Sequence, residues 1–155
     1  MNSTKTIYLS KKGMKELKKA IQRLEHERQA IMSRLRDIDK VDTRDERFAR
    51  IEQIAALETT ESELAEKKQL LSQAKLFPRK RDAIKVAIGS VVDLLDTNGR
   101  IIRYTLVESL EANPSDGRIS IKSPLGKSLL GKQIKDIVEW SGGVRTNRLQ
   151  LIGIA

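Results

Sequence analysis

Apolar side chains recur every three or four residues between Ser10 and Asp39, and this spacing constrains the fold more than any other feature of the sequence. A period of about 3.5 residues aligns them in one narrow stripe along a helix, as in a coiled coil. The stripe consists of Met14, Leu17, Ile21, Leu24, Ile31, Leu35 and Ile38, with Arg28 as its interruption. Ser10 is of a type that caps helix N-termini. The pattern predicts a long helix over residues 10–39.

A second helix is predicted from Asp45 to Leu76, where Leu57, Leu64 and Leu71 lie seven residues apart. The helical pattern has partial support from further apolar residues, but the companion positions of the stripe are polar. The supporting residues are Phe48, Ile51, Ile54, Ala55 and Ala74. Helices of similar length joined by a few polar residues fold back antiparallel, so that each covers the stripe of the other. Residues 1–78 are therefore predicted to form a coiled-coil hairpin, a rod of about 45 Å.

The turn of this hairpin is rich in acids, with Asp37, Asp39, Asp42, Asp45 and Glu46 within ten residues. One interpretation is helix capping, because Asp42 or Thr43 can cap the second helix and the helix dipole favours acids in a first turn. The other is that the carboxylates offer oxygen ligands to Mg²⁺, which accepts one or two carboxylates and keeps several waters. A helix end alone binds Mg²⁺ poorly, so the second interpretation requires a metal site on a partner.

The period changes beyond Phe77-Pro78, where proline disfavours helical geometry in the residue before it. Residues 90–95 and 100–108 are predicted to form a hairpin around Asn98-Gly99, a strong signal for a tight turn. A third strand follows over 117–122, then a short helix over 123–131 and strands over 136–140 and 149–154. Residues 79–155 are therefore predicted to form a small strand-rich domain, and the fold class is α+β.

Composition narrows the possible functions. The chain has no cysteine and its one histidine is His26, which excludes disulfides, thiolate metal sites and histidine-based catalytic sets. The net charge of +9 favours a polyanionic partner or an acidic protein surface, without choosing between them. No apolar run approaches the roughly 20 residues that span a bilayer, and the N-terminus lacks the apolar core of a signal peptide. We expect a cytoplasmic protein with no membrane association.

The run from Ser123 to Lys132 resembles a signature of the Gre family of bacterial transcription elongation factors. It has Ser123-Pro124, four residues, Leu129, one residue and then Gly131-Lys132. Tyr8-Leu9-Ser10 with Gly13 and Leu17 is similar to the family's entry into its first helix, and Leu71-Ser72 with Ala74 to another family motif. The resemblance covers nearly the whole chain in the same order.

The resemblance implies that the second domain is FKBP-like and that the hairpin enters the secondary channel of RNA polymerase. There its acidic end helps to hold a Mg²⁺ ion and a water, and the polymerase cleaves its own backtracked transcript. The factor is then not an enzyme and has no cofactor of its own, since Mg²⁺ is held jointly with the polymerase. Its implied partners are RNA polymerase and the nascent RNA 3′ end, and it acts as a monomer.

The resemblance also implies the site residues. Asp42 and Asp45 keep the family's acid-x-x-acid spacing and are the implied metal ligands, with Glu46 as a further assisting carboxylate. Counting back without gaps from Leu71-Ser72 instead places Thr43 and Glu46 at those positions. The family's tip glycine and its Asn-Ala-Glu-Tyr run are absent, so both stimulation of cleavage and inhibition of the polymerase stay open.

The resemblance also implies that the signature segment of this chain docks on RNA polymerase. The implied contact residues are Ser123, Pro124, Leu125, Leu129, Gly131 and Lys132. Pro124, Leu129 and Gly131 can equally serve the fold. A basic coiled coil that binds nucleic acid or acts as a scaffold is the alternative from another class. That alternative explains the charge but neither the acidic turn nor the signature.

Overall fold

The computed structural model describes residues 5–38, 40, 43–78, 84–141 and 146–155. The chain divides into two compact units, one containing Lys12–Ala74 and the other containing Thr6–Lys11 with Lys75–Ala155. A short N-terminal segment thus belongs with the C-terminal part of the chain. Among the described residues, no helix combines the length and apolarity that crossing a membrane requires.

The first unit is a pair of long helices, α1 (Lys11–Ile38) and α2 (Arg44–Gln73). Its buried side chains are Leu17, Ile21, Leu24 and Ile31 of α1 with Thr60 and Leu64 of α2. Arg28, which interrupts the apolar spacing of α1, pairs with Glu61 of α2 at 3.0 Å. Glu25, one turn earlier in α1, pairs with Lys68, one to two turns later in α2, at 3.2 Å. The predicted antiparallel helical hairpin is confirmed.

The predicted end of α2 is wrong by three residues. The helix stops at Gln73, and Ala74–Leu76 forms strand β2, which pairs with strand β1 (Ile7–Leu9). The amide of Phe77 donates to the carbonyl of Leu9 at 3.1 Å, and the Leu9 side chain is buried. The helix ends there because a strand distant in sequence supplies backbone partners just before Pro78, a contact that local periodicity does not contain.

Phe48, Ile51 and Ile54 lie on the predicted helix α2, but they do not belong to its buried stripe. Their exposed fractions are 59%, 64% and 39%. The side of α2 that faces α1 carries the buried Thr60, and Gln53 one heptad earlier has a side-chain oxygen that is shielded from solvent. Gln53 and Thr60, one heptad apart, define the face of α2 that packs against α1, and the three apolar side chains lie outside that face. We call Phe48, Ile51 and Ile54 the apolar patch of α2.

The second unit contains a five-stranded sheet in the order β5-β4-β3-β7-β6. Its elements are β3 (Val91–Leu95), β4 (Ile101–Val107), β5 (Arg118–Ser120), helix α3 (Pro124–Leu129), β6 (Ile137–Ser141) and β7 (Thr146–Ile154), with 3-10 turns at Ser109–Glu111 and Pro114–Asp116. Neighbouring strands are antiparallel except β4 and β5, which are parallel. All six elements were predicted, with boundaries that differ by at most three residues, and the α+β class is confirmed.

One face of the sheet packs with α3 to form the core. The fully buried apolar side chains of this core lie at alternate positions along their strands or on α3. They are Val92, Leu94, Leu106, Leu129, Val138 and Leu151. The predicted turn between β3 and β4 is present: Gly99 has φ of +79°, and the Asp96 carboxylate accepts from the amides of Asn98 and Arg100, each at 2.8 Å. Because buried and less buried residues alternate along the strands, the strands could be predicted from a sequence pattern that repeats every two residues.

The other face of the sheet carries a two-point ion pair between β3 and β4. Asp93 accepts from the guanidinium of Arg103 at 2.8 Å and 3.3 Å. The hydrogen bond from Arg103 holds the pKa of Asp93 below its usual value of 3.8. A depressed pKa in the folded state adds stability above the unfolded-state pKa, and that stability is lost as the pH falls through the folded-state pKa.

Asp93→Asn is therefore expected to lower the free energy of unfolding slightly at pH 7. The pair is largely exposed, so the decrease is small. Urea unfolding of the parent and the variant measures it, and the two curves should converge as the pH falls through the folded-state pKa of Asp93. A difference that persists undiminished in acid would contradict an ionic origin.

Candidate functional site

The start of α2 brings two of the predicted site carboxylates next to a helix cap. Thr43 precedes the helix, and its hydroxyl accepts from the Glu46 amide at 3.3 Å. The Glu46 carboxylate in turn accepts from the Thr43 amide at 3.0 Å. This reciprocal capping box satisfies two amides that the helix leaves without partners. Of the two predicted caps, Thr43 is confirmed.

Asp45 and Glu46 occupy the first turn of α2, where the helix dipole favours negative charge. Their environments differ. The Asp45 side chain is exposed, whereas Glu46 is half-buried and one of its carboxylate oxygens is used in the cap. Asp45 is therefore the carboxylate presented to solvent, and Glu46 stabilises the local backbone.

The other acids of the turn are placed as follows. Asp37, in the last turn of α1, is exposed and pairs with Lys40 at 3.3 Å. Asp39 and Asp42 lie outside the described residues, so the predicted pairing of Asp42 with Asp45 stays a prediction. Among the residues that are described, no three His, Cys, Asp or Glu side chains come close enough to hold a metal ion. What this stretch offers is individual carboxylate oxygens, which suit a hard cation whose other ligands come from elsewhere.

Thr43→Ala is expected to lower the free energy of unfolding of the hairpin by about 1 kcal/mol, because it removes the side-chain half of the cap. Far-UV circular dichroism in urea measures the loss. Thr43→Ser keeps the hydroxyl and serves as the matched control. An alanine variant as stable as the serine variant would show that the capping box does not stabilise the helix.

Beside these acids lies a feature that the sequence analysis missed, the outward-facing apolar patch of α2. The guanidinium of Arg44 lies 5.9 Å from the centroid of the Phe48 ring, a cation–π distance. The signal that could have located the patch is the phase of Gln53 and Thr60, seven residues apart and both small or polar. The apolar character of Phe48, Ile51 and Ile54, taken alone, suggests burial of a face of α2 that is exposed in the structure.

The signature segment begins with a second capped helix. The Ser123 hydroxyl accepts from the Gly126 amide at 3.0 Å and donates to the Ser120 carbonyl at 2.6 Å. Pro124 is the first residue of α3, where its missing N–H costs nothing, and it is exposed. Leu125 is partly buried and packs against the core. Ser123 thus has a structural role, and Pro124 is available at the surface.

The remaining residues of the signature pack into the core of the domain or form backbone hydrogen bonds with Val86. Leu129 is fully buried, and the side chain at the surface is Leu130, with 39% exposed. The amide of Gly131, at φ of +79°, donates to the Val86 carbonyl at 2.8 Å, and the Lys132 carbonyl accepts from the Val86 amide at 2.9 Å. Leu129 and Gly131 therefore serve the fold. Docking by this segment stays a prediction, carried by its exposed residues.

A further residue that sequence reasoning missed is Glu111, in a 3-10 turn after β4. Its carboxylate accepts hydrogen bonds from both the amide and the hydroxyl of Ser10, the amide at 2.9 Å. Ser10 immediately precedes α1 and belongs to the same compact unit as Glu111. The Glu111 carboxylate, 101 positions away in sequence, thus accepts the hydrogen bonds of Ser10, which the sequence analysis considered only as a helix cap.

Comparisons with known proteins agree with this architecture. The family described as "Transcription elongation factor, GreA/GreB, C-term" matches residues 81–155. Transcription elongation factor GreA of Chlorobium phaeobacteroides is 34% identical over 141 residues, 86% of this chain and 86% of its own. The GreA of Mycoplasma pneumoniae is 30% identical over 155 residues, 95% of this chain and 94% of its own.

Among solved structures, the GreA factor homolog 1 (Gfh1) of Thermus thermophilus aligns over 97% of this chain and 99% of its own. It is 23% identical, with a TM-score of 0.45, so the relationship rests on the sequence comparisons. Those comparisons extend over most of both chains at 30% identity or more, and they include the signature segment and the acidic turn. The chain therefore belongs to the GreA/GreB family of transcription elongation factors.

Proposed function

We propose that this protein binds RNA polymerase, inserts the turn of its hairpin into the secondary channel and stimulates cleavage of backtracked transcripts. The observation that carries the proposal is the exposed Asp45 in the first turn of α2, beside the turn that joins two long helices. Helices of 28 and 30 residues extend roughly 42 to 45 Å at about 1.5 Å per residue. That length separates a carboxylate at the turn from the opposite end of the hairpin by about 42 to 45 Å.

The proposal assigns different roles to the neighbouring acids. Asp45 is the carboxylate offered to the polymerase Mg²⁺, together with Asp42, which lies three residues earlier in the acid-x-x-acid spacing of the family. Glu46 is a positioning residue, because its carboxylate is used in the capping box with Thr43. The alignment without gaps would instead assign the two metal-binding positions to Thr43 and Glu46. Because both side chains are used in the cap, we favour the alignment that assigns them to Asp42 and Asp45.

A Mg²⁺ ion held in the polymerase would lower the pKa of a water and would stabilise charge on the phosphate. Oxygen ligands such as that of Asp45 fit this hard ion. The protein itself contributes a carboxylate and its position, so hydrolysis belongs to the polymerase and this chain is not a free-standing enzyme. We infer that the nascent RNA 3′ end is a neighbour in the complex and that the factor acts as a monomer.

The test is transcript shortening in purified, stalled and backtracked elongation complexes, with polymerase binding measured separately. Asp45→Ala is expected to lower the cleavage rate at saturating factor at least tenfold, about the loss seen on altering a metal-site residue. Its binding should stay within about twofold of the parent. Asp37→Ala removes an exposed carboxylate from the other side of the turn and should leave both quantities unchanged.

Other outcomes separate the alternatives. A parent protein that binds and slows synthesis without cleavage is an inhibitor, in keeping with the absent family tip residues. A parent protein that binds nucleic acid but not polymerase is a basic scaffold. Equal loss of cleavage in Asp37→Ala and Asp45→Ala would refute the assignment of Asp45.

A further inference from the structure

The apolar patch of α2 belongs to a longer exposed face of that helix. At about 100° per residue, the positions of the first half of α2 that lie within about 60° of Ile51 around the helix axis are all exposed. We call them the outer face of α2, and they are Arg44, Arg47, Phe48, Ile51, Ile54, Ala55 and Glu58. The buried Thr60 lies about half a turn from Ile51 around the axis, so packing against α1 leaves the outer face uncovered.

Charge is ordered along the outer face. Arg44 and Arg47 lie at the end nearest the turn, the apolar residues follow them, and Glu58 lies at the other end. In the direction of the chain the outer face is therefore positive, then apolar, then negative. A partner of one charge sign would be attracted by one end of this face and repelled by the other.

Other charged residues near the patch in sequence lie beside the outer face and not on it. Asp45 and Glu52 lie about 120° and about 100° from Ile51 around the helix axis, on one flank of α2. Arg50 lies about 100° from Ile51 in the opposite direction, on the other flank. The order of charge along the outer face is therefore set by Arg44, Arg47 and Glu58.

A second copy of α2 in antiparallel orientation matches this order. Arg44 and Glu58 are each seven residues from Ile51, so a two-fold axis at Ile51 brings Arg44 of each copy to Glu58 of the other. Phe48 and Ile54 are each three residues from Ile51, so they lie at the same level and pack across the axis. A parallel pair would instead place arginine against arginine and glutamate against glutamate.

We propose that the outer face of α2 is a self-association surface that binds a second copy of this chain in antiparallel orientation, about a two-fold axis at Ile51. The face extends about 21 Å along one helix. It therefore buries less than the roughly 800 Å² per partner of a standard interface. The dimer is accordingly weak and reversible, with a Kd of about 10 to 100 µM.

The consequence of this dimer for activity rests on the proposed function. Asp45 directly follows Arg44, so in the dimer the end of the hairpin that carries Asp45 lies against α2 of the partner. This end is then four helices wide instead of two, and it no longer fits a channel that admits one hairpin. The monomer is therefore the form that acts on the polymerase, and the dimer is an inactive form that accumulates at high protein concentration.

Sedimentation equilibrium of the full chain over a range of concentrations tests the surface without any polymerase. Ile51→Glu places two carboxylates face to face at the two-fold axis and should raise the dimer Kd at least about tenfold. Ile101→Glu is the matched control, because Ile101 is 65% exposed and Ile51 is 64% exposed. This control should leave the Kd within about twofold of the parent. Far-UV circular dichroism verifies that the helix content of each variant is unchanged.

Charge reversal tests the antiparallel orientation. Arg44→Glu and Glu58→Arg each replace attraction by repulsion at both symmetric contacts, so each should raise the Kd at least about threefold. Arg44→Glu combined with Glu58→Arg restores opposite charges in exchanged positions and should return the Kd to within about twofold of the parent. In a parallel dimer like charges would face each other in all of these variants, and no such rescue would occur.

Three results would overturn the proposal. They are a parent protein that stays monomeric far above the expected Kd, an Ile51→Glu variant that dimerises like the parent, and a double charge reversal that stays as weak as the single ones.

A locked dimer tests the consequence for activity. Because the chain has no cysteine, Ile51→Cys introduces a single thiol, and the two thiols of a dimer meet at the axis. The oxidised, disulfide-linked dimer should not stimulate cleavage in backtracked complexes, and reduction should restore the stimulation. Equal stimulation by both forms would refute the inactive dimer. Absence of stimulation by the parent and by the reduced variant would refute the proposed function, while the sedimentation results would still decide the self-association surface.

Discussion

Gly126→Ala is expected to destabilise the strand-rich unit by about 3 kcal/mol or more, at or above the upper end of the usual cost of overpacking. A Cβ atom at Gly126 would lie 2.0 Å from the carbonyl oxygen of Ser120 and 3.0 Å from the Cα of Ile121. Both are backbone atoms, so no side-chain rotation relieves the clash. Relief requires α3 to move away from β5, which would withdraw Leu129 from the core.

The single tryptophan of the chain allows this effect to be measured in one unit alone. Trp140 lies on β6 and packs against the core, so its fluorescence in urea follows unfolding of the sheet. Gly99→Ala is the matched control, because that site is strained by its φ of +79° but has no atom within 4 Å of the added Cβ. It should cost only about 1 kcal/mol. Equal losses of stability in Gly126→Ala and Gly99→Ala would show that the close contact between α3 and β5 does not cause the effect at Gly126.

Ile31→Ala is expected to remove about 2 to 4 kcal/mol from the stability of the hairpin, the usual cost of truncating a buried isoleucine. The side chain is 2% exposed, the lowest value among the buried residues of α1. A two-helix rod buries few side chains, so little else compensates. Circular dichroism at 222 nm in urea reports mainly on the two long helices and measures the change.

Ile51→Ala makes the same chemical change on the exposed side of the same hairpin. We expect its effect to lie within about 0.5 kcal/mol of the parent, as for most surface substitutions. Alanine is also the better helix former, which opposes any loss. A loss as large as that of Ile31→Ala would mean that Ile51 is covered in the free protein, in contradiction to its 64% exposure in the structure.

Local patterns were sufficient for most elements of the fold. Helix α1 was predicted over 10–39 and runs over Lys11–Ile38, because its apolar spacing continues over many turns with one interruption. The turn at Asn98-Gly99 was found because few residues tolerate its backbone geometry. In the candidate site, Thr43 was among the predicted caps for the same reason, since N-caps have a narrow chemical preference.

The sequence by itself therefore determined the helical hairpin, the order of the sheet elements and the presence of carboxylates beside the turn, since each depends on neighbours within a few residues. Only the tertiary structure decided the face that α2 buries, the β1–β2 pairing that ends α2, and the contact between Ser10 and Glu111. These depend on partners tens of residues away. A three-residue strand has no periodicity to detect, and a helix with a mixed stripe takes its phase from the helix it packs against.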